Sequence, residues 1–175
     1  MNSSNKLTIR FCLAILNKSK LSKISKLESS SFKGKKLLIP GLLSKDNKFN
    51  HALANVGEAA GMIVVDPNDT KKSDLVILTD SSDDVKKAWR SLDHSGSIVV
   101  VNTNNNTGIQ DKKYVVAIGS SIFMNTSIHG FSINNLTKDD FNNINHIHID
   151  ENKIQKDLIS DVLDPKTLKH LAELI

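Results

Sequence analysis

Short apolar runs alternate with polar stretches over most of this chain. Each run is three to seven residues long and is followed by a turn or a polar segment, which is typical of buried strands. The predicted strands are residues 37–39, 62–65, 74–80, 97–101 and 114–118, with 131–133 and 146–150 as candidate edge strands.

Apolar residues at helical spacing fill the intervals between these runs. Ser44 can cap a helix over residues 45–60, which Gly61 ends. Ser81 or Ser82 can cap a second helix that runs to about Leu92. Asp164 and Pro165 open a last helix near the end of the chain.

The apolar runs carry no polar alternation, so both faces of each predicted strand are buried. Parallel strands that are covered on both sides by helices have this pattern. Strands that alternate with helices indicate right-handed crossovers and a mostly parallel sheet. The sequence therefore predicts a Rossmann-like α/β domain of three layers over residues 32–175, with helices on both faces of the sheet.

Residues 1–31 have a different composition from the rest of the chain. They are rich in Ser and Lys, contain no acid before Glu28, and carry apolar residues at nearly helical spacing. Such a segment is typical of a mitochondrial transit peptide and equally of a flexible basic arm. Both interpretations stay open, and with them a mitochondrial-matrix or a cytoplasmic location. Arg10 interrupts the apolar stretch that a secretory signal requires.

Charge and cysteine content exclude several classes of function. Residues 1–37 hold nine basic residues and one acid, a net +8, whereas the remainder is net −4. The body therefore has no basic excess for binding nucleic acid. Cys12 is the only cysteine, so neither an intrachain disulfide nor a cysteine-rich zinc site can form. No apolar stretch approaches the roughly 20 residues that a membrane span needs.

Polar residues follow the predicted strands where a parallel sheet binds its ligands. The candidate cofactor-binding residues are Gly41, Ser44, Asp66, Asp80 and Asn102. Asp66 follows the second strand, where an acid can accept hydrogen bonds from a ribose. A dinucleotide site also needs the glycines of G-x-G-x-x-G, and residues 40–46 contain one glycine. The sequence identifies no catalytic residue.

The middle of the chain resembles the cofactor domain of medium-chain dehydrogenases/reductases, of the quinone and enoyl reductase type. The resemblance rests on residues 74–79, the helix to Leu92, Ser95–Val101 and Thr126–Phe131, within about residues 35–135. It implies an oxidoreductase ancestry and NAD(P) as the cofactor. The chain departs from that family at the glycine loop, and the catalytic half of such an enzyme is absent from it.

Related classes remain as alternatives. Short-chain dehydrogenases require Tyr-x-x-x-Lys, but Ile118 stands four residues after Tyr114, the only tyrosine. The chain is also similar to the flavodoxin-like leading domain, without catalytic residues, of some multidomain 3-oxoacyl reductases. S-adenosylmethionine-dependent methyltransferases share the strand pattern of residues 74–79 and 97–101, with Asp66 again as the ribose acid.

A second candidate site lies near the carboxyl end. In a strand, His146, His148 and Asp150 would share one face and could contribute to a metal site. A half-exposed edge strand explains the same alternation without a metal ion.

The sequence favours a degenerate Rossmann-like domain without catalysis of its own. Its strand and helix rhythm is intact, whereas the phosphate loop and the catalytic pairs are missing. We expect it to act as a structural, interaction or nucleotide-sensing module. The apolar pattern continues to Ile175, so the partner is another protein or a further domain of a longer chain.

Overall fold

A computed structural model describes residues 1–19, 32–69, 71–80, 83, 85–102 and 127–175. Within them lies a five-stranded parallel sheet with the order β2-β1-β3-β4-β5. The strands are β1 (Lys36–Leu38), β2 (Ile63–Val64), β3 (Ser73–Leu78), β4 (Leu92–Asn102) and β5 (Ser127–Ser132). The predicted strand at residues 114–118 lies outside the described residues.

The described helices are α1 (Ser3–Asn17), α2 (Lys48–Ala59), α3 (Val85–Arg90), α4 (Lys138–Asn142), α5 (Lys156–Ile159) and α6 (Pro165–Leu174), with 3-10 turns at Pro40–Leu43, Ile133–Asn135 and Glu151–Lys153. Helix α6 begins where the sequence predicts, because Asp164 accepts a hydrogen bond from the backbone of Thr167 at 2.7 Å. In the described ranges no helix is long and apolar enough to cross a lipid bilayer.

Both faces of the sheet are buried, which confirms the predicted three-layer α/β fold. One face packs against α1, α2 and the carboxyl-terminal helices, and α3 covers the other. Successive residues of a strand point to opposite faces, so Leu37 belongs to the first core and Leu38 to the second. The strand order is the flavodoxin-like one of doubly wound sheets and differs from the 3-2-1-4-5-6 order of classical dinucleotide domains.

Helix α1 is part of the core, although the sequence suggested that residues 1–31 stand outside the folded domain. Phe11, Ile15 and Leu16 are fully buried. The Phe11 ring lies 5.6 Å from that of Phe131 on β5, nearly perpendicular to it. An apolar stripe flanked by lysines has the same sequence pattern whether it binds a membrane, an import receptor or the protein's own sheet. The composition of residues 3–17 therefore did not indicate that they pack in the core.

Cys12 is buried with the rest of this stripe. Burial raises the pKa of its thiol to about 12, so the thiolate form is disfavoured at neutral pH. Its environment is that of a packed apolar side chain.

Two helix boundaries differ from the prediction. Helix α2 begins at Lys48, directly after the cap residue Asn47, because the 3-10 turn Pro40–Leu43 and its C-cap residue Ser44 come first. Helix α3 ends at Arg90, and Leu92 already belongs to β4, where it pairs with Ser73. Leu92 is buried in the second core, so its apolar side chain is compatible with the end of a helix as well as with the start of a strand.

The strand predicted at residues 146–150 is wrong. These residues run without regular structure, and Asp150 donates its backbone N–H to the carbonyl of Ala59 at 2.9 Å. The residues that follow are bonded to α2 by the buried amide of Asn55, which donates to the carbonyl of Lys153 and accepts from the backbone N–H of Gln155, both at 2.9 Å. The other candidate edge strand, residues 131–133, overlaps only the end of β5, which begins at Ser127 and ends at Ser132 before a 3-10 turn.

Candidate functional site at the carboxyl edge of the sheet

The crevice between β1 and β3 is where a sheet of this order binds its ligands, because the strand order reverses there. A side-chain bridge occupies it. The Thr79 hydroxyl donates to the Asn50 amide oxygen at 2.7 Å. Asn50 lies in the first turn of α2 and is fully buried, and Thr79 directly follows β3. The bridge therefore links the two elements that would flank a ligand.

Gly41 lies directly against the Asn50 side chain of this bridge. A Cβ atom added at Gly41 would overlap the Asn50 amide nitrogen. In a phosphate loop, glycine lets a ligand phosphate approach the backbone. Here the space above the glycine is filled by the protein's own side chain.

The amino terminus of α2 is capped by a side chain of the protein itself. The Asn47 side chain accepts the backbone N–H of Asn50 at 3.2 Å, as an N-cap residue does. Ser44, the predicted cap, is exposed and lies before the helix. Its carbonyl oxygen is 3.3 Å from Nε2 of His51.

A carboxylate occupies the turn after β3. Asp83 accepts the backbone N–H groups of Thr79 at 3.0 Å and of Asp80 at 3.1 Å. Burial raises the pKa of the Asp83 carboxyl, and those two hydrogen bonds oppose the rise. An anionic ligand at this turn would have to displace Asp83 from both donors.

Asp66 lies at the same edge, after β2, and is exposed. Its Oδ1 accepts the backbone N–H of Asn68 at 2.9 Å, the Asx-turn geometry that an Asp-Pro-Asn sequence favours. Asn102 ends β4, where it pairs with Ser132. The sheet thus brings Gly41, Asp66, Asp80 and Asn102 to one edge.

The charges at this edge are mostly negative. Its described acids are Asp46, Asp66, Asp80 and Asp83, and its lysines are Lys45 and Lys48. A dinucleotide pyrophosphate needs donors and positive charge, which a helix amino terminus or basic side chains normally provide. The edge offers an excess of carboxylates instead.

The carboxyl-terminal metal hypothesis is not supported by the geometry. His146 and His148 are exposed on an irregular segment, and the Asp150 carboxylate accepts the backbone N–H of Asn152 at 3.1 Å. Among the residues that the structure describes, no group of three His, Cys, Asp or Glu side chains could hold a metal ion. Alternation along the sequence places side chains together only in a strand, and no strand forms here.

Asn50, Thr79 and Asp83 shape this edge, and none of them was a sequence candidate. Their role depends on tertiary packing, which brings Asn50 on α2 and Thr79 after β3, 29 positions apart, into contact.

Comparisons with known proteins do not assign the chain. No protein-family model matches it. No curated protein matches it either.

Proposed function

We propose that this chain is a Rossmann-like domain without catalysis of its own, which serves as a structural or interaction module. The Asn50–Thr79 bridge above Gly41 is the observation that carries the proposal. It fills the crevice in which related sheets hold a nucleotide.

The electrostatic environment supports the same proposal. In the turn after β3 the Asp83 carboxylate already accepts the backbone N–H groups of Thr79 and Asp80, the two donors that an anionic ligand would use. Among the residues of this edge that the structure describes, the acids outnumber the lysines. A phosphate group would gain little attraction there and would lose its own hydration.

An NAD(P)-dependent reductase and a methyltransferase-like domain both need a backbone cradle and a ribose acid. The turn at Pro40–Leu43 provides no glycine-rich cradle. Asp66 already has one carboxylate oxygen in a local turn. These observations favour the non-catalytic proposal over both alternatives.

The partner would be another protein or a further domain of a longer chain. The buried stripe of α1 favours an amino-terminal helix that stays with the domain over a targeting segment that is removed. Removal would take the fully buried side chains of Phe11, Ile15 and Leu16 out of the core and expose the apolar sheet face that they cover.

Thermal unfolding of the full chain with NAD(H), NADP(H), S-adenosylmethionine or its demethylated product tests the proposal. A ligand that binds only the folded state adds about 2.7 kcal/mol at about a hundred times its Kd, which raises Tm by several degrees. We expect no saturable shift with any of the four. A saturable shift that Asp66→Ala abolishes would overturn the proposal and restore the nucleotide role.

A further inference from the structure

Positive charge collects at the amino edge of the sheet, opposite the acidic carboxyl edge. Strands β1, β3 and β4 run parallel, so all three begin at this edge. The described basic residues at these strand starts, or shortly before them, are Lys33, Lys35, Lys36, Lys71, Lys72 and Arg90. The acids on the same segments are Asp69, Asp74 and Asp93, with Glu58 near the end of α2. The amino edge therefore has an excess of positive charge.

Contacts between the segments bring the basic residues together. Asp74 on β3 accepts the backbone N–H of Lys36 at 2.8 Å, so β1 and β3 begin side by side. The Lys72 ammonium donates to the carbonyl of Arg90, which places the end of α3 beside the start of β3. The basic side chains of three separate segments therefore share one surface.

Most of this charge has no ion pair within the chain. Lys71 lies 3.8 Å from the Asp69 carboxylate, and both side chains are exposed. In the part of the chain that the structure describes, the other basic groups of this surface have no carboxylate within ion-pair distance. We call these groups the basic edge, which consists of Lys33, Lys35, Lys36, Lys72 and Arg90. Their charge is available to carboxylates of another molecule.

Each edge of the sheet also presents one large apolar side chain to solvent. Ile63 on β2 is 53% exposed and pairs in register with Lys36, so both side chains lie on the same face of the sheet. Leu43, at the end of the turn after β1, is 56% exposed and lies shortly before Asp46 in the chain. An exposed apolar side chain among charged groups is typical of a protein interface, which has an apolar centre and a polar rim.

The chain itself carries the surface that complements the basic edge. The carboxyl edge presents the exposed acids Asp46, Asp66 and Asp80 together with Leu43. A second copy can satisfy both edges, because its acids match the basic edge and its basic groups match the acids. A nucleic acid would neutralise the basic edge alone and would leave the carboxyl edge and Leu43 exposed.

We propose that the basic edge of one copy docks on the acidic carboxyl edge of a second copy of this chain. The inference rests on the proposed role as an interaction module, in which no nucleotide covers the carboxyl edge. The two surfaces lie at opposite ends of the same strands, so the contact is head-to-tail. Such a contact extends into a row of copies, or closes into a ring where the rotation between copies allows it.

Sedimentation velocity of the full chain without nucleotide, at increasing protein concentration, tests this association. We expect the mean sedimentation coefficient to rise with concentration at about 0.01 M salt, where charges act over about 30 Å. At about 1 M salt the same charges act over about 3 Å, and the coefficient should return to that of the monomer. A monomer at every concentration in low salt would overturn the inference, and so would association that requires an added DNA oligonucleotide. Neither result would bear on the proposed lack of nucleotide binding, which thermal unfolding tests separately.

Two complementary variants test the direction of the contact. Lys33→Gln, Lys72→Gln and Arg90→Gln together leave a copy that can offer only its acidic edge. Asp46→Asn, Asp66→Asn and Asp80→Asn together leave a copy that can offer only its basic edge. We expect each variant alone to be monomeric at low salt, and an equimolar mixture to form pairs that do not extend further. A mixture that stays monomeric, or either variant assembling alone as the unchanged protein does, would contradict the head-to-tail contact.

Matched controls separate the contact from a general effect of charge or surface polarity. Lys6→Gln, Lys156→Gln and Lys169→Gln remove the same charge from exposed positions of α1, α5 and α6, and should leave the association unchanged. Leu43→Ser should weaken it by about tenfold, because an apolar side chain is no longer covered. Ile175→Ser, at a position 51% exposed, should have no effect. Association that Leu43→Ser leaves at full strength, or that the three control lysines abolish, would contradict the placement of the interface.

Discussion

Single side chains decide whether the carboxyl edge is open. Asn50 is buried, polar and bonded to Thr79, and its amide lies directly against Gly41. The sequence indicated the missing glycine loop but not what takes its place. The Asn50–Thr79 contact depends on how α2 packs beside the end of β3, and a hydrogen bond between distant residues leaves no local pattern in a sequence.

Replacing Gly41 by Ala tests this packing. The added methyl group would overlap the Asn50 amide, so we expect a loss of about 1–3 kcal/mol in the free energy of unfolding, measured in urea. Gly130→Ala is the matched control and should stay within about 0.5 kcal/mol, since its Cβ meets open space. In the double variant with Asn50→Ala the two losses should be less than additive. Additive losses would show that Gly41 and Asn50 do not compete for the same space.

Asp140 gives a pH-dependent prediction. Its pKa is lower in the folded state than its ordinary value of 3.8, so the unfolded chain binds the proton more tightly. The stability that ionised Asp140 contributes is present above that value and is lost as pH falls through the folded pKa. Asp140→Asn should therefore destabilise the protein at pH 7, and the difference from the unchanged protein should vanish in acid. Urea unfolding at a series of pH values measures this. Asp139→Asn, an exposed neighbour, is the control. A difference independent of pH would contradict the assignment.

At the scale of elements, the strands were predictable and the helix ends were not. β3 and residues 98–101 of β4 are apolar runs that pack on both faces, a signal that needs no knowledge of partners, whereas β5 is only partly buried and its sequence alternates less clearly. Helix starts depend on which of several nearby polar residues becomes the cap, and Asn47 rather than Ser44 caps α2. Alternating polarity at residues 146–150 predicted a strand, but Asp150 instead donates its backbone N–H to Ala59 at the end of α2, and Asn55 bonds the residues that follow.

The packing of helix α1 can be tested by its effect on the stability of the domain. Phe11 is fully buried between Phe49 and Phe131, with ring centroids at 6.0 and 5.6 Å. Phe11→Ala should lower the free energy of unfolding by about 3–5 kcal/mol, because a buried ring is lost and a cavity remains. Lys6→Ala on the same helix should change it by less than about 0.5 kcal/mol. Equal stability of Phe11→Ala and the unchanged protein would show that α1 is a detachable arm.

At the scale of the whole molecule, the order of the strands sets where a ligand could bind. An order of 2-1-3-4-5 places the crevice between β1 and β3, and both sides of it are occupied by the protein's own groups. Because α1 packs into the domain, its basic residues belong to the same folded body as the acidic remainder of the chain. Lys18 pairs with Asp140 and Arg10 lies against the α4 region, so the basic amino terminus is partly integrated into the domain.

We propose that the crevice between β1 and β3 takes no nucleotide because Asn50, Thr79 and Asp83 occupy it. A titration of the isotopically labelled full chain with NADH, followed through the amide signals of Gly41, Thr79 and Asp80, tests this claim most directly. We predict no saturable change at these three amides. Saturable shifts concentrated on them would show that the bridge opens for a nucleotide and would contradict the account.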